Sequence, residues 1–135
     1  MKYYLKALRN FANFSGRARR KEYWYFVLFS FIFGLGIIII LRIALEMNGD
    51  ILAILFLLYA LATFIPGLAV TVRRLHDVGK SGSFLFILLI PLIGLFFLPV
   101  LIVVLIVVIW FLVLMLTDSN SGENEYGENP KEVAV

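Results

Sequence analysis

The chain contains no cysteine and only one histidine among its 135 residues. The lack of cysteine excludes disulfides, thiolate metal sites and thiol nucleophiles. A single histidine excludes a His-rich metal site within one chain. The sequence also contains no glycine-rich phosphate loop, nucleophile elbow or zinc-binding helix motif. We therefore expect no metal and no cofactor, and we do not expect an enzyme.

Charge is also scarce, and residues 84–116 carry none at all. Charged residues make up 16% of the chain and hydrophobic residues 62%, whereas ordinary globular domains are about a quarter charged and half apolar. This composition predicts a small integral membrane protein with a single domain, residues 1–135. The residues after the first long apolar run lack a small-x-small cleavage pattern, so we interpret that run as a retained span.

The apolar runs contain no acidic residue away from their edges, and no internal repeat is visible. Buried ionisable groups mark pumps and transporters, and many secondary transporters are duplicated. Both absences weigh against a transporter.

Three long apolar segments are present. Residues 24–45 and 51–72 each match the roughly 20 residues that cross a bilayer, and Pro66 lies inside the second. Residues 84–116 are too long for one ordinary span and short for two, and they form either one kinked helix or a hairpin that breaks near Pro91–Pro99. We predict an all-α bundle of four membrane-embedded segments, with three as the alternative.

Residues 2–14 show a helical pattern with an aromatic face and a basic face. Such a pattern is typical of a helix lying in the membrane interface, and a helix packed on a protein core is the alternative. The apolar face comprises Tyr3, Tyr4, Ala7, Leu8, Phe11 and Phe14, and the opposite face comprises Lys2, Lys6, Arg9 and Asn13.

Lysine and arginine are distributed unevenly around the spans. Seven precede the first span, none occurs in the turn "EMNGD", and three lie in the polar segment 71–83. By the positive-inside rule, the N-terminus and residues 71–83, expected as a polar loop, are cytoplasmic. The tail, residues 117–135, is acidic and is expected to be flexible or docked on the surface.

The motif "RRLHD" places one aspartate among basic residues. If the helix continues through it, Arg73 lies beside His76 and Asp77, and Arg74 also lies within reach of Asp77. His76 and Asp77 are neighbours and point about 100° apart, so they do not form a ready-made dyad. An Arg–Asp ion pair with the histidine alongside is predicted, and the alternative is a plain helix stop with topogenic charges.

The glycines and serines after this motif suit a turn between helices. Gly79 and Gly82 are suited to a helix C-cap and a close backbone turn. Ser81 or Ser83 can cap the following helix.

Two further polar clusters flank the apolar runs. In "GRARRKEYW", each exposed cation contributes about 1 kcal/mol of attraction to anionic lipid. Glu22 fits a purely lipid-binding cluster poorly, and it could pair with an arginine of its own segment or with Arg73 or Arg74. In the tail, "GENEYGENP" surrounds one tyrosine with turn residues, and on composition alone disorder is the simpler interpretation.

Together, "FSGRARRKEYW", "RRLHDVGKSG" and "GENEYGENP" resemble the bacterial inner-membrane family catalogued as domain of unknown function 805. The resemblance covers nearly the whole chain and implies an inner-membrane location, a docked tail and a signature made of the polar clusters. One departure is Ser83-Phe84, where many members place an aromatic directly after "SG". The residues that match the pattern, and that we take as a candidate polar site, are Arg17, Arg20, Glu22, Trp24, Arg73, Arg74, His76, Asp77, Gly79, Ser81, Gly82, Asn124, Tyr126, Gly127 and Pro130.

We expect a non-enzymatic membrane module whose cytoplasmic site binds an anion, a lipid headgroup or a protein partner. A small transport or channel component is the second hypothesis, and a lipid-modifying enzyme with His76 as acid or base is the third. The expected partners are anionic lipid headgroups and a further protein or a second copy of the chain, with no nucleic acid.

Overall fold

The computed structural model describes residues 1–43, 46, 48–89 and 98–132. Across these residues there is no β-strand, only one isolated bridge between Asn124 and Gly127. The all-α class is therefore confirmed for the described part of the chain, while the number of membrane-embedded segments remains a prediction. The helical elements are α1 (Lys2–Arg9), α2 (Arg20–Ile43), α3 (Gly49–Asp77), a 3₁₀ helix (Gly82–Leu89) and α4 (Leu98–Leu116).

Two of these helices, α2 and α3, are long and apolar enough to cross a membrane. The predicted span 24–45 lies in α2 as far as residue 43, and residues 44–45 fall outside the described part. The predicted span 51–72 lies inside α3, which continues to Asp77. The segment 71–83 was expected as a loop, but it is helical through "RRLHD" because it contains no proline or glycine before Gly79.

The break predicted within residues 84–116 falls mostly outside the described residues, because Pro91 and Gly94 lie in 90–97. Pro99 lies in the first turn of α4, where a missing N–H costs no helical hydrogen bond. The rings of Phe84 and Trp110 stack with centroids 5.6 Å apart, so the 3₁₀ helix and α4 are in contact. Whether the segment spans once or forms a hairpin remains a prediction.

The chain divides into two compact units. The first comprises Met1–Asn13 and Lys21–Val70, and the second comprises Phe14–Arg20 and Thr71–Val135.

In the first unit, α1 packs on α2 through aromatic rings. The Tyr4 ring lies 5.5–5.8 Å from those of Phe26, Phe29 and Phe33, and both Tyr4 and Ala7 are buried. This matches the alternative of a helix packed on protein for one face of α1. The helix ends at Arg9 rather than continuing to residue 14, and the Asn10 side chain donates to the Lys6 carbonyl at this end.

The helices α2 and α3 approach each other closely at one glycine. A Cβ at Gly34 would lie 2.9 Å from the Tyr59 ring, and the Tyr59 hydroxyl donates to the Ser30 carbonyl over 2.6 Å. Small residues allow such approaches between membrane helices. The other faces of these helices carry many exposed Leu, Ile and Phe side chains, as expected for surfaces in contact with lipid.

Candidate functional site

A buried carboxylate, Asp77, forms the centre of the second unit. It is the last residue of α3, and its side chain is fully buried. It accepts hydrogen bonds from Arg17 Nε over 3.1 Å, from Ser119 Oγ over 2.6 Å and from Arg74 Nη1. We refer to Arg17, Arg74, Asp77 and Ser119 as the Asp77 cluster. It joins the segment before α2, the end of α3 and the segment after α4.

Every N–H group of Arg17 has an acceptor within the chain. Nε donates to Asp77, and Nη2 donates to the carbonyls of Asn120 over 2.6 Å and Asp77 over 3.4 Å. Nη1 donates to the carbonyls of Gly122 over 2.8 Å and Gly127 over 3.1 Å. A guanidinium has five such donors, so Arg17 is fully occupied.

Arg74 binds the C-terminal end of α4. Its Nε and Nη2 lie 3.3 Å from the Met115 carbonyl, and Nη2 also donates to the carbonyls of Leu114 and Thr117. The last four carbonyls of a helix lack intrahelical partners, and a cation there interacts favourably with the helix dipole. Arg74 therefore supplies both hydrogen bonds and charge to this helix end.

The outer arginines of "GRARR" contact the same region at the surface. Arg20 donates to the Leu116 carbonyl over 3.0 Å and forms a 3.1 Å ion pair with Asp118, while Arg19 donates to the Pro130 carbonyl. Lys131 also pairs with Asp118. The Lys131 ammonium, with the Ser119 N–H, lowers the pKa of the Asp118 carboxyl.

The single histidine takes part in tail docking. The His76 ring stacks on Tyr126 with centroids 3.9 Å apart and an interplanar angle of 5°. His76 Nδ1 lies 3.1 Å from the Gly16 carbonyl, which can only accept, so Nδ1 carries a proton. The Asn124 amide donates to the His76 carbonyl over 3.0 Å. These contacts fix the ring in place and give it a structural role.

The turn after α3 requires glycine. The Lys80 N–H bonds the Leu75 carbonyl and the Gly79 N–H bonds the His76 carbonyl, which together form a Schellman motif with Gly79 at φ +67°. A Cβ at Gly79 would lie 2.7 Å from the Asn120 amide. The Asn120 N–H in turn donates to the Asp77 carbonyl over 3.0 Å. The C-cap predicted at this glycine is confirmed.

The 3₁₀ helix begins directly after this turn. The Ser81 hydroxyl accepts the Ser83 N–H over 3.3 Å, so of the two serines Ser81 provides the cap. A Cβ at Gly82 would lie 2.9 Å from Val72, which places the backbone close to α3.

The tail is shaped by two left-handed glycines. Gly122 has φ +68° and Gly127 has φ +117°, and the carbonyls of both point toward Arg17. Asn124 pairs with Gly127 through both backbone groups, and its side chain accepts the Tyr126 N–H. The tail is therefore an ordered turn whose main chain supplies the acceptors.

The second unit brings together most of the predicted residues, but in different roles. Of the two arginines predicted to pair with Asp77, Arg74 forms the ion pair, and the Arg73 carbonyl accepts the Ala18 N–H. The predicted residues that belong to this unit are Arg17, Arg20, Arg73, Arg74, His76, Asp77, Gly79, Ser81, Gly82, Asn124, Tyr126, Gly127 and Pro130.

Two predicted residues, Glu22 and Trp24, belong to the first unit. The Glu22 carboxylate is buried and lies 3.4 Å from Lys6 Nζ, a partner that we did not predict. Trp24 packs edge-on against Tyr23, with ring centroids 5.3 Å apart.

Sequence reasoning missed Ser119, Asn120, Gly122 and the buried Asn129. Of these, Asn129 carried a visible signal, because it directly precedes Pro130 and the Asn-Pro dipeptide favours a turn. In the structure its side chain accepts the Lys131 N–H two residues on. Among the described residues no group of His, Cys, Asp and Glu is suited to hold a metal ion.

Comparison with known proteins supplies a family. A family model described as "Protein of unknown function (DUF805)" matches residues 11–128. The inner membrane protein YhaI of Escherichia coli (strain K12) is 42% identical over 133 residues, covering 97% of each chain. The inner membrane protein YhaH of the same strain is 36% identical over 135 residues, covering 97% of this chain and 98% of YhaH. No solved structure matches.

Proposed function

The chain belongs to the DUF805 family, and from that premise we propose that it is a non-enzymatic membrane module whose polar site holds its own C-terminal tail. The relatives named above are inner membrane proteins, and the two long apolar helices fit insertion into such a membrane. The polar site then joins the segment before α2 to the tail on the cytoplasmic face.

The observation that carries this proposal is the full occupation of Arg17. Three of its acceptors are carbonyls of the tail, namely those of Asn120, Gly122 and Gly127. Its side chain is 1% exposed. An arginine that recruits an external anion needs free donors, and here the tail already occupies that position.

The same contacts support a topology with both termini in the cytoplasm. The Ala18 N–H, just before α2, bonds the Arg73 carbonyl near the end of α3, so α2 begins and α3 ends on one side. The tail reaches the same residues through Arg17 and Asp77. The segment between Gly82 and Leu116 must then leave this side and return to it, as a hairpin does.

The available lengths are compatible with this route. The 19 residues of α4 extend roughly 28 Å at 1.5 Å per residue, close to the thickness of the hydrocarbon core. The eight residues of the 3₁₀ helix extend roughly 16 Å at 2.0 Å each. The helix that returns to the cytoplasmic side, α4, is thus the long one, and the described part of the outward path fits a segment that is embedded rather than fully spanning.

The two other hypotheses gain less support. An enzyme would need His76 as acid or base, yet its ring is stacked on Tyr126 and its Nδ1 faces a carbonyl. A transport path would need interruptions in the apolar helices, and Pro66 lies within the continuous helix α3.

One observation favours a second function, contact with anionic lipid. In the N-terminal segment, Lys2 and Arg9 are exposed, together with the apolar side chains of Leu5 at 45% and Phe11 at 55%. Cations beside exposed apolar groups are typical of surfaces that bind the headgroup region. Lipid binding at this segment is compatible with the tail-holding role of Arg17.

Reporter fusions after Val135 test the topology. Fluorescence of a green fluorescent protein fusion and inactivity of an alkaline phosphatase fusion are expected, because the tail docks on cytoplasmic residues. The opposite pattern would place the tail outside and refute the proposal.

Protease sensitivity of the tail tests the docking itself. Arg17→Lys keeps the charge but loses the planar fork, so cleavage near Glu123 should become at least tenfold faster. Lys21→Arg, an exposed neighbour, should leave the cleavage rate unchanged. Equal rates in the two variants would mean that Arg17 does not hold the tail.

A further inference from the structure

We propose that the Asp77 cluster is a binding site for a phosphate-type anion, occupied by tail carbonyls in the closed state and opened when the tail leaves. The inference rests on the proposed function, because it takes the tail as the resident occupant of Arg17. It adds a ligand class and a direction of regulation, in which anion and tail compete for the same donors.

The charge of the cluster is the first argument. Two buried guanidinium groups, those of Arg17 and Arg74, share one buried carboxylate, that of Asp77. The four residues therefore carry an excess positive charge, which the dipoles of neutral carbonyls and the nearby Asp118 carboxylate offset in part in the closed state. An anion placed there would neutralise this excess in surroundings of low dielectric, where charge interactions are strong.

The chemistry of the acceptors is the second argument. The tail offers Arg17 three carbonyl oxygens and no carboxylate. Hydrogen bonds between arginine and an ionised acceptor are roughly twice as strong as neutral ones, and phosphate matches the guanidinium fork in a bidentate way. The tail is thus a weaker ligand per contact than the anion that could replace it.

The position of the tail's own acids is the third argument. Glu123, Glu125 and Glu128 are exposed. The charges of these three residues are therefore not buried against Arg17 and Arg74. The tail is held by its carbonyls, the Tyr126 stack, the Ser119 hydroxyl and the surface ion pair of Asp118 with Arg20. Departure of the tail would leave three of the five Arg17 N–H donors without an acceptor in a single step.

The chain has no cysteine, so a single spin label can report the state of the tail. Ser121 is exposed, and we would label Ser121→Cys in the full-length protein reconstituted in nanodiscs. Label mobility is measured in pure phosphatidylcholine, with increasing phosphatidylglycerol, and in phosphatidylcholine with inorganic phosphate in solution. We expect an immobile label in phosphatidylcholine and a mobile fraction that grows with the anion.

Loosening the tail should tighten anion binding, because coupling between two ligands is reciprocal. Tyr126→Ala removes the stack on His76 and leaves the arginines untouched, so half-release should need about fivefold less anion. Arg17→Gln in the Tyr126→Ala background should lose the additional bound phosphatidylglycerol seen by native mass spectrometry. Lys21→Gln in the same background removes an equal charge and should retain that lipid.

The outcomes distinguish a lipid headgroup from a soluble anion and test whether anion and tail exchange. Release by phosphatidylglycerol alone identifies a lipid headgroup, and release by inorganic phosphate as well identifies a soluble anion. A label that stays immobile under every condition, with Tyr126→Ala binding no more anion than the parent, overturns the exchange but leaves the tail-holding role intact. A label already mobile in pure phosphatidylcholine refutes the proposed function itself.

Discussion

The basic residues of α1 and those of the second unit have different surroundings in the structure. Lys2, Lys6 and Arg9 on α1 are exposed, and Lys6 pairs with a single buried acid, Glu22. In the second unit, Arg17 and Arg74 are buried and bind mainly backbone carbonyls. In this chain, the two arginines with several internal acceptors are buried, whereas the cations of α1 lie at the surface.

The largest effect is expected from Asp77→Asn. The substitution leaves two buried guanidiniums without their shared charge, and breaking a buried ion pair costs about 3–5 kcal/mol. Thermal unfolding in detergent should show a large loss of stability, whereas Lys80→Gln, at an exposed position, should change stability by less than about 0.5 kcal/mol. Equal, small effects would mean that the Asp77 cluster does not hold the second unit together.

A backbone effect of intermediate size is expected at the turn beside the cluster. Gly79→Ala combines an unfavourable φ of +67° with a clash against Asn120, so a loss of about 1–3 kcal/mol is expected. Gly36→Ala is the matched control, since a Cβ there meets no atom within 4 Å and alanine favours a helix. If both variants are equally stable, Gly79 does not hold this left-handed turn in solution.

The exposed cations of α1 should affect lipid binding and leave folding unchanged. Arg9→Gln is expected to weaken retention of phosphatidylglycerol by about 1 kcal/mol, the contribution of one cation near an anionic surface. Its melting temperature should match that of the parent. A marked loss of stability would instead give α1 the same structural role as the arginines of the second unit.

The smallest effect concerns pH at the surface of the tail. Lys131 lowers the pKa of Asp118, so this carboxylate stabilises the fold above its unfolded pKa, and the contribution is lost as pH falls through the lower, folded value. A slight loss of tail protection is expected only below about pH 4. The pH dependence should diminish in Lys131→Gln, and an unchanged profile would exclude this ion pair as its source.

The parts that sequence reasoning predicted are local in the chain. The Arg74–Asp77 pair follows from one-turn spacing, and the cap at Gly79 follows from glycine after a polar helix end. The contact of Arg17 with Asp77 spans 60 residues. The remaining acceptors of Arg17 are backbone carbonyls, which every residue type has and which the sequence therefore does not reveal. Spacing could therefore identify the participants in the polar site, but it could not show that the tail was their ligand.

The occupation of Arg17 also has a consequence for biosynthesis. Arg17 is made early, whereas its acceptors Asn120, Gly122 and Gly127 leave the ribosome more than 100 residues later. Until then, its guanidinium must remain hydrated, and closing so long a loop carries an entropic cost that the late contacts must offset. Burial of this arginine thus requires synthesis to have passed Gly127, and a product truncated before Asn120 would keep it open to water.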